Sequence, residues 1–310
     1  MRRTLDPKLD VVFKILFAHP GSRGCLTSVL TAVLRPVSPI VEVEVLNPEI
    51  PGQEAFEKGV VLDLRVRLAG GSQVDVEMQS DRQPGSRKRM LYYWAKMYGA
   101  QLGRGAEYAS LEPVVVVVFT DYRELESERL HSTFRILEVT HHEDLCDDLE
   151  IHLIELPKLD TMRPAELEAE RLLVAWARFL AARTDEEVEA AAKEDEMIEQ
   201  AKDMLERVSE DPKVRELASW REAHLALDRM QRRMGLEEAR AEGRTEGLAE
   251  GRAKGRAEGK RDVLLMVLEQ RGITLSESQR VVIEACDDLS RLDTWIRRAV
   301  AGSSADDILA

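Results

Sequence analysis

Between Asp10 and Pro36 apolar side chains recur at helical steps, with Phe13, Ile15, Leu16 and Phe17 followed by Leu26, Val29, Leu30 and Val33. This predicts two helices that end before the proline. The period then falls to two. LDLRVRL at 62–68 alternates, AGGS at 69–72 interrupts, and VDVEMQ at 74–79 alternates again, which predicts a β-hairpin ending near Gln79. Residues 87–105, RKRMLYYWAKMYGAQLGRG, return to a helical period. VVVVVF at 114–119 lacks polar alternation, as a strand buried on both faces requires, and IHLIEL at 151–156 predicts a further strand. A mixed α/β unit therefore closes near Pro157.

From Pro164 the pattern is Glu- and Ala-rich and helical throughout, as in EAERLLVAWARFLAAR at 168–183 and TDEEVEAAAKEDEMIEQAKDML at 184–205. A four-residue repeat, AEGR TEGL AEGR AKGR AEGK, occupies 241–260. Behind it Leu264, Leu265, Leu268, Val281, Ile283, Leu289, Leu292, Trp295 and Ile296 predict two or three small packed helices. The expected organisation is an α/β domain at 1–160, an acidic helical region at 161–234, the glycine repeat at 235–262 and a small helical segment at 263–310.

Parity decides what the hairpin presents. Leu62, Leu64, Val66 and Leu68 share one face of the first strand and Val74, Val76 and Met78 one face of the second. A two-residue loop would set apolar residues opposite charged ones, whereas a three-residue loop, Ala69 to Gly71, keeps the apolar faces together. That register sets Asp63 opposite Glu77, Arg65 opposite Asp75 and Arg67 opposite Gln73. Opposed Cβ atoms lie ~5 Å apart, where two carboxylates repel. A divalent cation reverses that sign, because carboxylate oxygens are the hard ligands Mg²⁺ accepts. Asp63 and Glu77 are thus the candidate metal ligands, with Gln79 on the same face able to orient water or a phosphate oxygen. A solvated face on which the two acids splay apart is the competing reading.

The same residues carry a resemblance. Asp63, a glycine turn and then Glu77-x-Gln79 look like the core motif of the PD-(D/E)xK nucleases, with glutamine where most members have lysine. The surrounding order, LDVVFKILFA with Asp10, Phe13 and Lys14, then the hairpin, RMLYYWAKMYGAQL and VVVVVF, resembles the Rpn family of recombination-promoting nucleases and transposases over residues 5 to 160. The resemblance implies a restriction-endonuclease-like α/β/α core followed by a mainly α-helical C-terminal region. It also implies metal-dependent DNA cleavage with Asp63 and Glu77 as ligands and Gln79 as the third active-site position, with a role in recombination or with mobile elements. Mg²⁺ is the implied cofactor, with Mn²⁺ or Ca²⁺ as alternatives. Lys88, Arg89 or Lys96 could supply the displaced cation. Asp10 is a weaker additional acid, equally readable as a surface partner for Lys14 four residues on.

Charge first points away from nucleic acid. The 310 residues carry 58 acidic and 44 basic side chains, a formal net charge of −14, which disfavours wholesale coating of a polyanion. Locally the sign inverts: Arg82, Arg87, Lys88, Arg89, Lys96 and Arg104 stand between 82 and 104 with no acid among them and with Tyr92, Tyr93, Trp94 and Tyr98 interleaved. Arg89, Tyr93 and Lys96 share a helix face suited to phosphates and bases, while Leu91, Trp94, Tyr98 and Leu102 share the face expected to enter the core.

The remaining chemistry is negative evidence. Cys25, Cys146 and Cys286 lack metal-ligand or disulfide spacing, which fits a reducing cytoplasm. The longest purely apolar run, Val114 to Phe119, is too short for a membrane span, and no nucleotide-binding fingerprint calls for a nucleotide cofactor. Glycines at 243, 247, 251, 255 and 259 each cost a helix ~1 kcal/mol relative to alanine, so a close-packed partner, expected to be a second copy, would have to offset them. A solvated spacer helix is the alternative. Two functions follow: a DNA endonuclease, or a catalytically silent protein of nuclease fold acting through an oligomerising helical tail.

Overall fold

The computed structural model describes every residue except 1–3, 47–48, 51–59, 62, 104 and 302–303, together with the side chains of 49, 50, 60 and 61. Leu62 and Arg104, used in the sequence reading, lie outside the described residues. The chain divides into two compact units, residues 1–225 and 226–310.

In the first unit helices α1 (Asp10–Ala18) and α2 (Arg23–Leu34) precede strand β1 (Val43–Leu46), the short pair β2 (Glu49–Ile50) and β3 (Val60–Val61), and the hairpin β4 (Leu64–Leu68) and β5 (Gln73–Gln79). Helix α3 (Ser86–Gly99), strands β6 (Val114–Thr120), β7 (His131–Arg135) and β8 (Leu149–Glu155), and helices α4 (Pro164–Ala169), α5 (Arg171–Ala181), α6 (Asp185–Ala192) and α7 (Glu196–Glu210) follow. The main sheet has the order β1-β4-β5-β6-β8-β7, with β5, β6 and β8 mutually parallel and the other neighbours antiparallel.

The hairpin adopts the register that parity demands: Leu64 pairs with Val76, Arg65 with Asp75, Val66 with Val74 and Arg67 with Gln73. Its loop is Ala69 to Gly71, closed by the Leu68 N–H donating to the Ser72 carbonyl at 2.9 Å. Gly71 sits at φ +92°, a conformation that disfavours any Cβ.

Helices cover both faces of the sheet. On one side Val66, Val74, Val76, Met78, Val115, Val117 and Phe119 join a core with Phe13, Phe17, Leu26 and Leu30 of α1 and α2 and with Trp176, Phe179 and Leu205 of α5 and α7. On the other, Val116, Val118, Ile151 and Leu153 pack on Met90 of α3. The valine run is thus buried on both faces because α3 lies across the side opposite α1. Residues 173–208 enter the first core directly, and Trp176 Nε1 donates to Ser28 Oγ at 3.0 Å.

Two sequence expectations need correction, for Leu91 and Val281, and two strands lie outside what the sequence pattern predicts. Leu91 of α3 is half-exposed rather than core, and the helix is anchored instead by Met90 and Met97. Strands β1 and β7 were not foreseen, since both lie at sheet edges where one side needs no apolar run. Val281 in the C-terminal segment is exposed.

Helix α8 (Pro212–Gln270) begins in the first unit, where Ala218 is fully buried and Leu225 packs on the core. In the second unit the end of α8 forms a small core with α9 (Glu277–Glu284), α10 (Leu289–Ala301) and α11 (Ala305–Leu309), built on Leu264, Leu268, Ile283, Leu292, Trp295 and Ile308. A Cβ added at Gly243, Gly247, Gly251, Gly255 or Gly259 meets nothing within 4 Å. The five glycines find no compensating contact among the described residues of their own chain. No helix among the described residues is long and apolar enough to cross a membrane.

Candidate active site

The polar face of β5 carries Gln73, Asp75, Glu77 and Gln79, and all four are buried. A solvated antiparallel face would have let these acids splay into water. Here the parallel pairing with β6 puts Asp75 beside Val116 and Glu77 beside Val118, under α3, so burial is imposed by the neighbours. Asp75 is 0% exposed, and neither of its oxygens has a hydrogen-bond partner among the described residues. Burial first, and the negative Glu77 and Asp63 next, hold its carboxyl well above the usual carboxylate range.

Asp63 stands one residue before β4 and is held against Glu77 by reciprocal bonds. Its N–H donates to Glu77 Oε1 at 2.8 Å, and the Met78 N–H donates to Asp63 Oδ2 at 3.1 Å. Burial and then the Asp63 charge push the Glu77 carboxyl up to about 8, against the opposing pull of the Asp63 N–H, Arg89 and Lys14. A buried carboxyl whose charged form is disfavoured, standing beside a second acid, forms a site a divalent cation would relieve, and the donors are hard oxygens. The residues therefore fit the ion. Among the described residues no group of three or more His, Cys, Asp or Glu is placed to hold a metal, so protein ligation there would come from this pair, with waters and substrate oxygens as the remaining ligands.

The cleft, of about 160 Å³, is lined by Asp63, Glu77 and Gln79, by Arg89 and Tyr93 of α3, by Asp10 of α1, and by Arg221 and Leu225 of α8. The structure brings together Asp10, Asp63, Glu77, Gln79, Arg89 and Tyr93 from the sequence reading. It does not bring in Lys88, which is exposed, or Lys96, whose Nζ lies 5.7 Å from the centroid of the Tyr92 ring. The Arg89 guanidinium lies 5.8 Å from the Tyr93 ring centroid. Burial and the nearby Glu77 charge push the Tyr93 hydroxyl up to about 12, so it stays protonated and can donate.

The acid-free window from 82 to 104 is not free of acid in space. The buried Glu124 carboxylate accepts from Arg82 Nε at 2.9 Å and from Arg87 Nε at 2.6 Å. Burial raises that carboxyl, but the two arginines outweigh it and leave it below the usual range. Both guanidinium groups are thereby committed to fixing the entry to α3.

Four residues of the site escaped the sequence reading or were misplaced by it. Helical spacing offers Lys14 as a partner for Asp10 in one of the two readings of that acid, yet the Lys14 Nζ lies 3.2 Å from Asp63 Oδ1. Asp10 Oδ1 instead accepts from Arg221 Nε at 3.0 Å, across the unit. Tyr122 donates its hydroxyl to Gln79 Oε1 at 2.8 Å, which fixes the Gln79 amide and leaves its NH₂ as the donating end. Only the Lys14 spacing to Asp10 hinted at chemistry; the other partners come from distant segments that no local pattern joins.

Residues 7–231 match the family described as PD-(D/E)XK nuclease family transposase. No curated protein and no solved structure matches the chain.

Proposed function

Because this chain belongs to the PD-(D/E)XK nuclease family transposases, we propose that it is a metal-dependent DNA endonuclease that hydrolyses phosphodiester bonds at Asp63, Glu77 and Gln79, acting in recombination or with mobile elements. The observation that carries this reading is the Asp63–Glu77 pair, half-buried Asp63 locked to buried Glu77 by reciprocal backbone bonds and with Glu77 raised to about 8. Asp63 and Glu77 would hold the ion, Mg²⁺ or another hard divalent cation such as Mn²⁺ or Ca²⁺, which supplies Lewis-acid charge at the scissile phosphate.

The chain's own residues have distinct parts in this reading. Arg89 grips a non-bridging phosphate oxygen with charge-assisted hydrogen bonds. Tyr93, kept protonated, donates to the same strand, and Lys96 with Tyr92 extends the contact along the backbone. Gln79, held through its carbonyl by Tyr122, turns its NH₂ toward the attacking water or the phosphate. It is neutral and cannot offset the charge that builds on the phosphoryl oxygens. Lys14 is the cation for that task, because its ammonium already lies 3.2 Å from Asp63.

The glycine ladder belongs to the same proposal as the contact with a second copy, supported by the absence of any neighbour near its Cβ positions in the described chain. The three free cysteines support a reducing, cytoplasmic setting. Nicking of supercoiled plasmid with Mg²⁺, Mn²⁺ or Ca²⁺ tests the activity: the wild type cleaves, and Asp63→Ala and Glu77→Ala do not. No cleavage under any metal would refute it.

A further inference from the structure

Two arginines line the cleft. Arg89 comes from α3, and Arg221 comes from α8, far along the chain. We propose that Arg221 is a second phosphate-gripping residue of this cleft, held in place by Asp10, so that the first turns of α8 complete the nucleic-acid surface. This rests on the reading of the site as one for a phosphodiester.

Three observations carry it. Ala218 is fully buried and Leu225 packs on the core, and residues 218, 221 and 225 fall on one helix face, so that face of α8 is fixed against the α/β unit. Asp10 Oδ1 accepts both the Val11 N–H at 2.9 Å and Arg221 Nε at 3.0 Å. The acid is therefore held by the first turn of its own helix and in turn holds the guanidinium. A guanidinium has five donors in a fixed fork, and Asp10 engages it at Nε, which leaves the outer donors for a second anion. The Arg221 side chain is 30% exposed, enough to be reached and too little to swing freely.

Charge gives the reason for a second cation. Asp10, Asp63, Glu77 and Asp81 all line the cleft, and together they repel an approaching phosphodiester strand. Arg221 supplies the opposite sign there. Asp10 accordingly acts as a positioning residue for Arg221 and not as a third metal ligand.

The test is equilibrium binding of a short fluorescent DNA duplex to the full chain in EDTA, where no metal supports cleavage, over a series of salt concentrations, for wild type, Arg221→Gln, Arg221→Lys and Asp10→Asn, with thermal melting of each protein and cleavage of the same duplex by wild type in Mg²⁺. A phosphate contact contributes about one unit to the slope of log affinity against log salt. Arg221→Gln is expected to weaken binding about tenfold and reduce the slope by about one. Arg221→Lys keeps the slope with a smaller loss, and Asp10→Asn weakens binding with Arg221 still present. If Arg221→Gln is unfolded, the Lys and Asn variants carry the same comparison. An unchanged slope in folded Arg221→Gln, or, should that variant not fold, wild-type affinity in both Arg221→Lys and Asp10→Asn, makes Arg221 a structural tie between helices and overturns the inference while wild-type cleavage leaves the site reading standing. Wild-type protein that neither binds nor cleaves the duplex overturns both.

Discussion

Lys14 Nζ lies 3.2 Å from Asp63 Oδ1, joining the first helix to the residue that opens the carboxylate hairpin. The pair sets a cation beside a site whose motif carries a neutral Gln79. Replacing Lys14 by Gln is expected to lower cleavage on the order of 100-fold, the size of losing one transition-state charge contact, with partial recovery in Lys14→Arg and little change in KM. Single-turnover cleavage with saturating metal measures this. An unchanged rate together with tighter metal binding would mean that Lys14 merely covers Asp63.

The hairpin register was legible because strand parity allows few alternatives: Arg65 opposite Asp75 and Arg67 opposite Gln73 follow from keeping Val66 and Val74 on one face. The double burial of 114–118 was legible from its unbroken valines. What stayed hidden is tertiary. Nothing local says that α3 lies over the polar face of β5 and drives Asp75 to complete burial. Nor can helical spacing reveal that Asp10 and Lys14, four residues apart, part company for Arg221 and Asp63. Such partners are chosen by packing between segments distant in sequence.

The edge of the sheet offers a pH test independent of the active site. His131 Nε2 and His152 Nδ1 lie 2.8 Å apart across β7 and β8, with Thr133 and Glu150 beside them. Burial, then the neighbouring His152 and Arg35, pull His131 down to about 4 from an ordinary value near 6.5. A histidine with a depressed folded pKa holds fewer protons in the folded state than in the unfolded chain. Its contribution is therefore intact above about pH 6.5 and is lost as pH falls towards 4. Urea unfolding of wild type and His131→Asn should show a stability difference that moves against the wild type across that window. A difference independent of pH would contradict the assignment.

The glycine ladder makes opposite predictions for its two readings. Ala at Gly247 and Gly251 favours the helix by up to ~1 kcal/mol each. If a second copy packs on the ladder, the added methyl groups also obstruct close approach and weaken association. Sedimentation equilibrium is expected to give wild type a mass above the 35.1 kDa chain and the double Ala variant a shift towards it. Identical masses, with only a gain in thermal stability for the variant, would make the segment a solvated spacer.

The central claim is that Asp63 and Glu77 work as one metal-holding pair in phosphodiester hydrolysis. Single-turnover cleavage of a labelled DNA duplex by wild type, Asp63→Asn, Glu77→Gln and the double variant tests it most directly, with melting curves confirming that each protein is folded. Each single change is expected to abolish cleavage nearly completely and the double change to do little more, because groups acting as a unit are not additive. Cleavage by all four proteins at the wild-type rate would contradict the account.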